Sequence, residues 1–339
     1  FILRLEKRKR FVMEPMDIGN FYHRILENTF RRTKKTGRDF SDLSRAEIEE
    51  AAASEIERII EEDRFIANFV SHSPHNRYMV TSSRQILSDC IEDLAELSRA
   101  GIFRQEYSEI RFGPKDDLLG PCTVKSGKDS FHIRGIIDRL DTAELNGEKS
   151  ALVIDYKTGG RSVDWPGIYY GLDLQLPVYL LAVRNRFRPA GCFYFPVRSR
   201  AEKYTPGSLT ERKPRKAMGI VRGSFAEDLD SKTQPGKGSP HYNFYFSKKD
   251  GEPYSRYSSS AALRDGELAA LLDFAERKIA EPPENILSRN ISITPARLGK
   301  KTPCSMCDYR PVCRFDWQIN SYNILNRMNK PDVMEKING

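Results

Sequence analysis

No apolar run in this sequence approaches the roughly 18 residues needed to cross a bilayer, and no signal peptide opens it. A membrane-embedded or exported protein is therefore not expected. Cysteine is sparse, with six in 339 residues and three of them clustered. That excludes a disulfide-built scaffold and favours a reducing cytoplasm. Phosphate-cradling loops are missing as well. Gly127-Lys128 is followed by Asp129 where a nucleotide-binding loop of that kind needs Ser or Thr, and Gly120 lies seven residues back rather than five. ATP binding is not expected. There is no internal repeat, and the lack of an initiator methionine reads as a fragment of a longer chain. What is plentiful is charge: 30% of residues are charged, the net charge is +8, and 39% are hydrophobic. A sizeable core beneath a basic surface follows, with a polyanionic partner, nucleic acid or an anionic membrane.

The most informative stretch is Phe131–Gly159. Ile133–Asp141 and Leu152–Lys157 are rich in Ile, Val and Leu, and Asn146-Gly147 between them is a strong hairpin-turn signal. With a two-residue turn, facing residues have numbers summing to 293, so Leu145 faces Glu148 and Asp138 faces Asp155. Like charges opposed on one sheet face repel. A divalent cation between them removes the repulsion, because hard cations take carboxylate oxygens. Lys157 follows Asp155 by two and shares its face. Two acids and a lysine converging on one spot can support metal-assisted phosphodiester hydrolysis. The alternative is the solvated side of a half-buried sheet, with Asp138 paired diagonally to Lys157. The apolar neighbours, Gly-Ile-Ile before Asp138 and Leu-Val-Ile before Asp155, make unpaired carboxylates costly there.

Phe1–Phe11, with Arg4, Lys7, Arg8, Lys9 and Arg10, reads as a solvated or phosphate-contacting arm. A helix is expected from about Asp17, with Ile18, Phe21, Ile25 and Leu26 inward and His23 on it. Ser44–Glu47 is a capping box opening a helix to about Val70. Ser82–Gln85 opens another, on which Cys90 is a buried apolar thiol. Glu106–Phe112 alternates as a strand. Asp164–Phe187 reads as one helix entering through Pro166, with Ile168, Leu172, Leu176 and Leu180 inward and a kink at Pro177. Gln175 and Tyr179, four apart, share a face of it. Gly191–Val197 is a strand, Ala201–Pro240 an irregular polar insertion, and Asp265–Ala280 the last clear helix.

The motifs Gly19-Asn20-Phe21-Tyr22-His23, Asp138, Asp155-Tyr156-Lys157-Thr158-Gly159 and Gln175-Leu176-Pro177-Val178-Tyr179 resemble, in this order, the RecB-type branch of the PD-(D/E)XK nucleases. With Cys304-x2-Cys307-x5-Cys313 at the end, nearly the whole chain is similar to the C-terminal nuclease domains of AddB-type subunits of bacterial helicase–nucleases. The resemblance implies an α/β fold: a restriction-endonuclease-like core with a mixed central sheet flanked by helices, an added helical segment, and a cysteine-bearing tail. Residues 1–100 would form the helical segment carrying His23, 101–200 the nuclease core, 201–258 the insertion and 259–339 the closing helix and tail, together one nuclease domain.

The resemblance also implies roles. His23, Glu109 (which fits its motif better than Glu106), Asp138, Asp155 and the Tyr156 carbonyl would hold Mg²⁺, with Mn²⁺ able to substitute. Lys157 would orient or activate water, and Gln175 and Tyr179 would position the DNA strand. The parent enzyme would pair with an AddA-like helicase subunit, process double-strand breaks for recombination and cut the 5′-ended strand. Three thiolates fall short of the four that an iron–sulfur cluster usually takes. In the family, a fourth cysteine near the start of the nuclease region completes a 4Fe–4S cluster. By motif spacing it falls upstream of Phe1, so the cluster is expected in the intact protein and incomplete or absent in this chain alone. Zinc is the alternative occupant. Two rival functions remain at this point: a stand-alone RecB-type exonuclease of the kind that serves CRISPR adaptation, and a catalytically silent DNA-binding or scaffolding domain.

Overall fold

The computed structural model describes residues 13–116, 118–126, 128–198, 212–290 and 292–339; the basic stretch Phe1–Phe11 lies outside them. Helices come first: α1 (Pro15–Lys35), α2 (Arg45–Glu62), α3 (Arg64–His72) and α4 (Pro74–Ala100). The strands β1 (Arg104–Phe112), β2 (Cys122–Ser126), β3 (Asp129–Ile133), β4 (Gly135–Leu145) and β5 (Glu148–Lys157) follow. Next are α5 (Trp165–Tyr169), α6 (Gln175–Val183), β6 (Arg188–Pro196), β7 (Met218–Arg222), α7 (Ala226–Leu229), β8 (Ala262–Leu263) and α8 (Asp265–Leu287). The chain closes with β9 (Ala296–Leu298), α9 (Arg310–Cys313), β10 (Asn323–Leu325) and α10 (Lys330–Asn338).

The central sheet has the order β1-β4-β5-β6-β7-β8 and is mixed, with β5–β6 and β7–β8 parallel and the other neighbours antiparallel. Helices cover both faces, so β4 and β5 are buried on both sides, which is why their sequences read as continuous apolar runs. One face packs Leu152 and Ile154 against Ile25, Phe69, Ile91 and other residues of the first four helices. The other packs Leu140 and Val153 against Leu180 of α6, Leu271 of α8 and Ile337 of α10. This is the expected α/β architecture.

The β4–β5 turn is Asn146-Gly147 with both φ values positive (53° and 75°), a backbone that glycine and asparagine tolerate best. The register runs from Leu145 opposite Glu148 to Arg139 opposite Ile154, every pair summing to 293 as read from the sequence. The Ser44–Glu47 capping box is present at the start of α2.

Several boundaries differ from expectation. The helix after Ser44 ends at Glu62, because Asp63 turns extended and caps α3 by accepting from Phe65 and Ile66 N–H. The helix expected at Ser82 begins at Pro74, capped by Ser73, since proline is well suited to a first turn. Asp164–Phe187 is two helices rather than one. Gly171 at φ +74° breaks it, and Leu172, expected inward, is 53% exposed. Pro177 then sits in the first turn of α6, where its missing N–H would have no partner anyway, so it produces no kink. The expected polar insertion contributes β7 to the central sheet and the short α7. Its Arg215 is buried against Asp93 of α4 at 2.6 Å. The helix from Asp265 runs on to Leu287 through Pro282 and Pro283, and α10 follows it as a further helix.

Candidate active site

The site lies where β4 and β5 pass the last paired residues. Asp138 and Asp155 stand just beyond the Arg139–Ile154 pair, on the sheet face that α6 covers. Their carboxylates are buried, with 8% and 2% of the residue exposed, and the like charges are drawn to different partners. Asp138 Oδ2 accepts the Tyr156 backbone N–H at 2.7 Å, while its Oδ1 lies 3.4 Å from His23 Nδ1. Asp155 is held on the other side: its Oδ1 accepts from Gln175 Nε2 at 2.7 Å and from Tyr179 Oη at 3.3 Å. Lys157 Nζ is 2.5 Å from Asp155 Oδ2. Among the described residues no other donor reaches this buried oxygen, so the ammonium is its one partner.

His23 reaches the site from α1. Its Nε2 donates to the Tyr156 carbonyl at 3.1 Å, and its Nδ1 faces Asp138 and, at 3.7 Å, Glu109 Oε1. Glu109 is on β1, between the residues that pair with Arg139 and Ile137 on either side of Asp138, and takes φ +49°. A glutamate in that region is strained, which is common where structure serves a site. Glu106 turns elsewhere, to Thr142 and Lys149. His23, Glu109 and Asp138 each bring a ligand atom within 4.8 Å of the others, a spacing a metal ion could fill. Asp155 falls outside that trio, engaged instead with Lys157, Gln175 and Tyr179. Glu109, Asp138 and the buried Asp155 Oδ2 offer the carboxylate oxygens that hard cations take, and His23 adds a borderline nitrogen. That donor set fits Mn²⁺ and, through its oxygens, Mg²⁺.

The electrostatics carry the same strain. Burial disfavours a charged His23, but hydrogen bonding to Asp138 and Glu109 outweighs it and lifts the pKa to about 10. Burial, then the charge of Asp138, pushes Asp155 up to about 6 against the pull of Lys157. Both folded pKa values exceed their unfolded values, so the folded state holds more protons and stability falls as pH rises. The Asp155 contribution declines from about pH 4 to 6, and that of His23 from 6.5 to about 10. A metal needs neutral imidazole and ionised carboxylates. Mg²⁺ or Mn²⁺ binding at pH 8 is therefore expected to release about one proton, read by titration calorimetry in two buffers of different ionisation enthalpy. The thermal gain from the metal should be larger at pH 8.5 than at pH 6. Binding without proton release would remove His23 from the ligand set.

The cysteine tail forms a separate feature. Cys304, Cys307 and Cys313, with Arg310, Phe315 and Trp317, line a cavity of about 290 Å³. Among the described residues the three thiols do not form a group within 4.8 Å.

Sequence reasoning did not single out Arg161, Asp173 or Tyr194. Arg161 Nη2 donates to both Asp173 oxygens at 2.9 Å, and its guanidinium lies 4.6 Å from the Tyr194 ring centre. Tyr194 is the β6 partner of Asp155. Only the parallel pairing of β5 with β6 reveals this neighbour, and nothing local in the sequence announces it.

An acid pair at the end of a hairpin, a lysine two residues on, and helix-borne Gln and Tyr against the second acid define a nuclease core. The chain matches the PD-(D/E)XK nuclease superfamily over residues 1–314, and it belongs to that superfamily. More particularly, it is 31% identical over 354 residues to the AddB-type subunit of the ATP-dependent helicase/deoxyribonuclease of Symbiobacterium thermophilum, covering 99% of this chain and 30% of that protein. To the corresponding subunit in Moorella thermoacetica it is 32% identical over 333 residues, covering 94% of this chain and 28% of that one. To that of Natranaerobius thermophilus it is 30% identical over 355 residues, covering 99% and 29%. The chain thus spans about 30% of the length of the curated relatives it matches. No helix among the described residues is long and apolar enough to cross a membrane.

Proposed function

We propose that this chain is the nuclease portion of an AddB-type helicase–nuclease subunit and hydrolyses DNA phosphodiesters with Mg²⁺, Mn²⁺ substituting. The observation that carries the reading is the convergence of His23, Glu109 and Asp138 beside the Asp155–Lys157 pair. His23, Glu109, Asp138, Asp155 and the Tyr156 carbonyl would hold the ion, which when bound supplies Lewis-acid polarisation and a more acidic water. Lys157 places a cation beside the reacting phosphate, orienting water and meeting charge on the phosphoryl oxygens. Gln175 and Tyr179 fix the Asp155 carboxylate and set the path of the strand past it. Net charge +8 suits a DNA substrate. The relatives are named as helicase/deoxyribonuclease subunits, which supports a helicase partner of the AddA kind. The setting we propose is cytoplasmic double-strand-break repair by recombination, with the 5′-ended strand as substrate. The cysteine cavity supports a 4Fe–4S cluster in the intact protein, with Cys304, Cys307 and Cys313 as three of its ligands.

The test is cleavage of end-labelled single- and double-stranded DNA. Products are expected with Mg²⁺ or Mn²⁺ at millimolar concentration and none with excess EDTA. Cleavage unaffected by EDTA, or binding without cleavage at any metal concentration, would overturn the reading.

A further inference from the structure

We infer that Arg161 is a second phosphate contact, holding the backbone of the substrate strand next to the phosphate that Lys157 faces. The inference rests on the nuclease reading above. Arg161 lies four residues past Lys157, beyond the end of β5. The two cations share one aromatic platform: Lys157 Nζ is 5.3 Å and the Arg161 guanidinium 4.6 Å from the Tyr194 ring centre. Their separation cannot exceed those two distances together, which keeps them within reach of neighbouring phosphates on one strand.

The guanidinium is used on one corner only. Nη2 serves both Asp173 oxygens, while among the described residues Nε and Nη1 have no hydrogen-bond partner. The side chain is 40% exposed, so those donors remain open. Stacking on Tyr194 fixes the plane of the fork. Tyr194 Oη itself lies 3.5 Å from Asp173 Oδ1. A planar, oriented guanidinium with a free edge beside a nuclease centre matches the donor geometry that phosphate oxygens accept. Asp173 orients the guanidinium and, being an anion, competes with phosphate for it. A loop clamp alone would need the ion pair but not the open edge.

The two readings separate in the full chain with a fluorescein-labelled single-stranded oligonucleotide. Binding is measured in EDTA over a salt series, and cleavage in Mn²⁺. Arg161→Ala is expected to raise KM about 10-fold, with the larger part of the loss in KM, and to reduce the salt slope by about 0.7, one phosphate contact on a single strand. Arg161→Lys should keep the slope. Asp173→Asn should tighten DNA binding, since it removes the internal competitor. If Arg161→Ala and Asp173→Asn weaken binding alike, or the slope of Arg161→Ala equals that of the wild type, the pair is only a structural clamp and the inference fails. Should Asp173→Asn melt too low to assay, the slopes of the two Arg161 variants decide. Failure of the nuclease reading looks different: wild type would not cleave in Mn²⁺, whereas the slope change in EDTA is independent of chemistry.

Discussion

Replacing Lys157 by alanine is expected to lower the rate of DNA cleavage by about 10²–10³, the loss typical when one preorganised charge facing the transition state is removed. Replacing Asp155 by alanine should lower it by at least as much, because that carboxylate is both the partner of Lys157 and a proposed ligand. Asp155→Ala leaves every cation in place, so its salt-dependent DNA binding should stay within about threefold of wild type. Lys157→Ala removes the cation that faces the reacting phosphate and should also lower the salt slope by about one contact. Stability is expected to move the other way for Asp155. Burial and the neighbouring Asp138 charge lift its pKa to about 6, so at pH 7 the folded protein carries an ionised group it would hold more easily protonated. Asp155→Asn keeps the shape, loses that charge, and should melt no lower than wild type at pH 7.5 without metal. A variant that is inactive and at least as stable is what a strained functional group produces. Equal cleavage by wild type and both alanine variants would remove the proposed chemistry. A marked drop in melting temperature for Asp155→Asn would instead make Asp155 a structural carboxylate.

The site was legible because its geometry follows from one local device. A two-residue turn at Asn146-Gly147 sets the register of β4 against β5, and period-2 alternation does the rest, so residues 17 apart in sequence meet without any tertiary knowledge. The long-range parts were legible only through resemblance. His23 reaches Tyr156 across 133 positions, and Glu109 was chosen over Glu106 by motif fit rather than by any periodic signal. What failed was continuity. A helical stripe through Ile168, Leu172, Leu176 and Leu180 looked unbroken, yet Gly171 at φ +74° takes Leu172 to the surface and starts α6 afresh. Likewise Met218–Arg222 sits in a polar surrounding that hides a five-residue strand, because its burial comes from β6, β8 and the helices behind them. Tertiary context decides such short strands more than their own composition does.

On the sheet face opposite the active site, Asp141→Ala is expected to destabilise the protein by about 3–5 kcal/mol, the range seen when one partner of a buried ion pair is deleted. Arg139 and Asp141 are both 0% exposed. Arg139 Nε and Nη2 donate to the two Asp141 oxygens at 2.6 and 2.7 Å, and Nη2 also reaches Ser98 Oγ of α4 at 2.9 Å, while Nη1 has no partner among the described residues. Burial pushes the Asp141 carboxyl up, more than the guanidinium pulls it down. On Arg139 the balance is reversed, since burial is outweighed by attraction to Asp141, which raises the guanidinium. Desolvation and attraction thus offset each other, and the pair is at most a weak net source of stability. Its removal as a unit should therefore be mild. Arg139→Met with Asp141→Leu replaces both charges by apolar groups of similar reach, and it is expected to recover most of what Asp141→Ala loses, or to exceed wild type. Urea unfolding of the two single variants and the pair forms a double-mutant cycle. A single variant within about 1 kcal/mol of wild type would mean that water or another anion reaches Arg139 once Asp141 is gone. A double variant as unstable as the worse single would mean that the pair specifies the packing of α4 on β4. In that case its position next to Asp138 would be how the helical layer sets the site, and cleavage should fall together with stability.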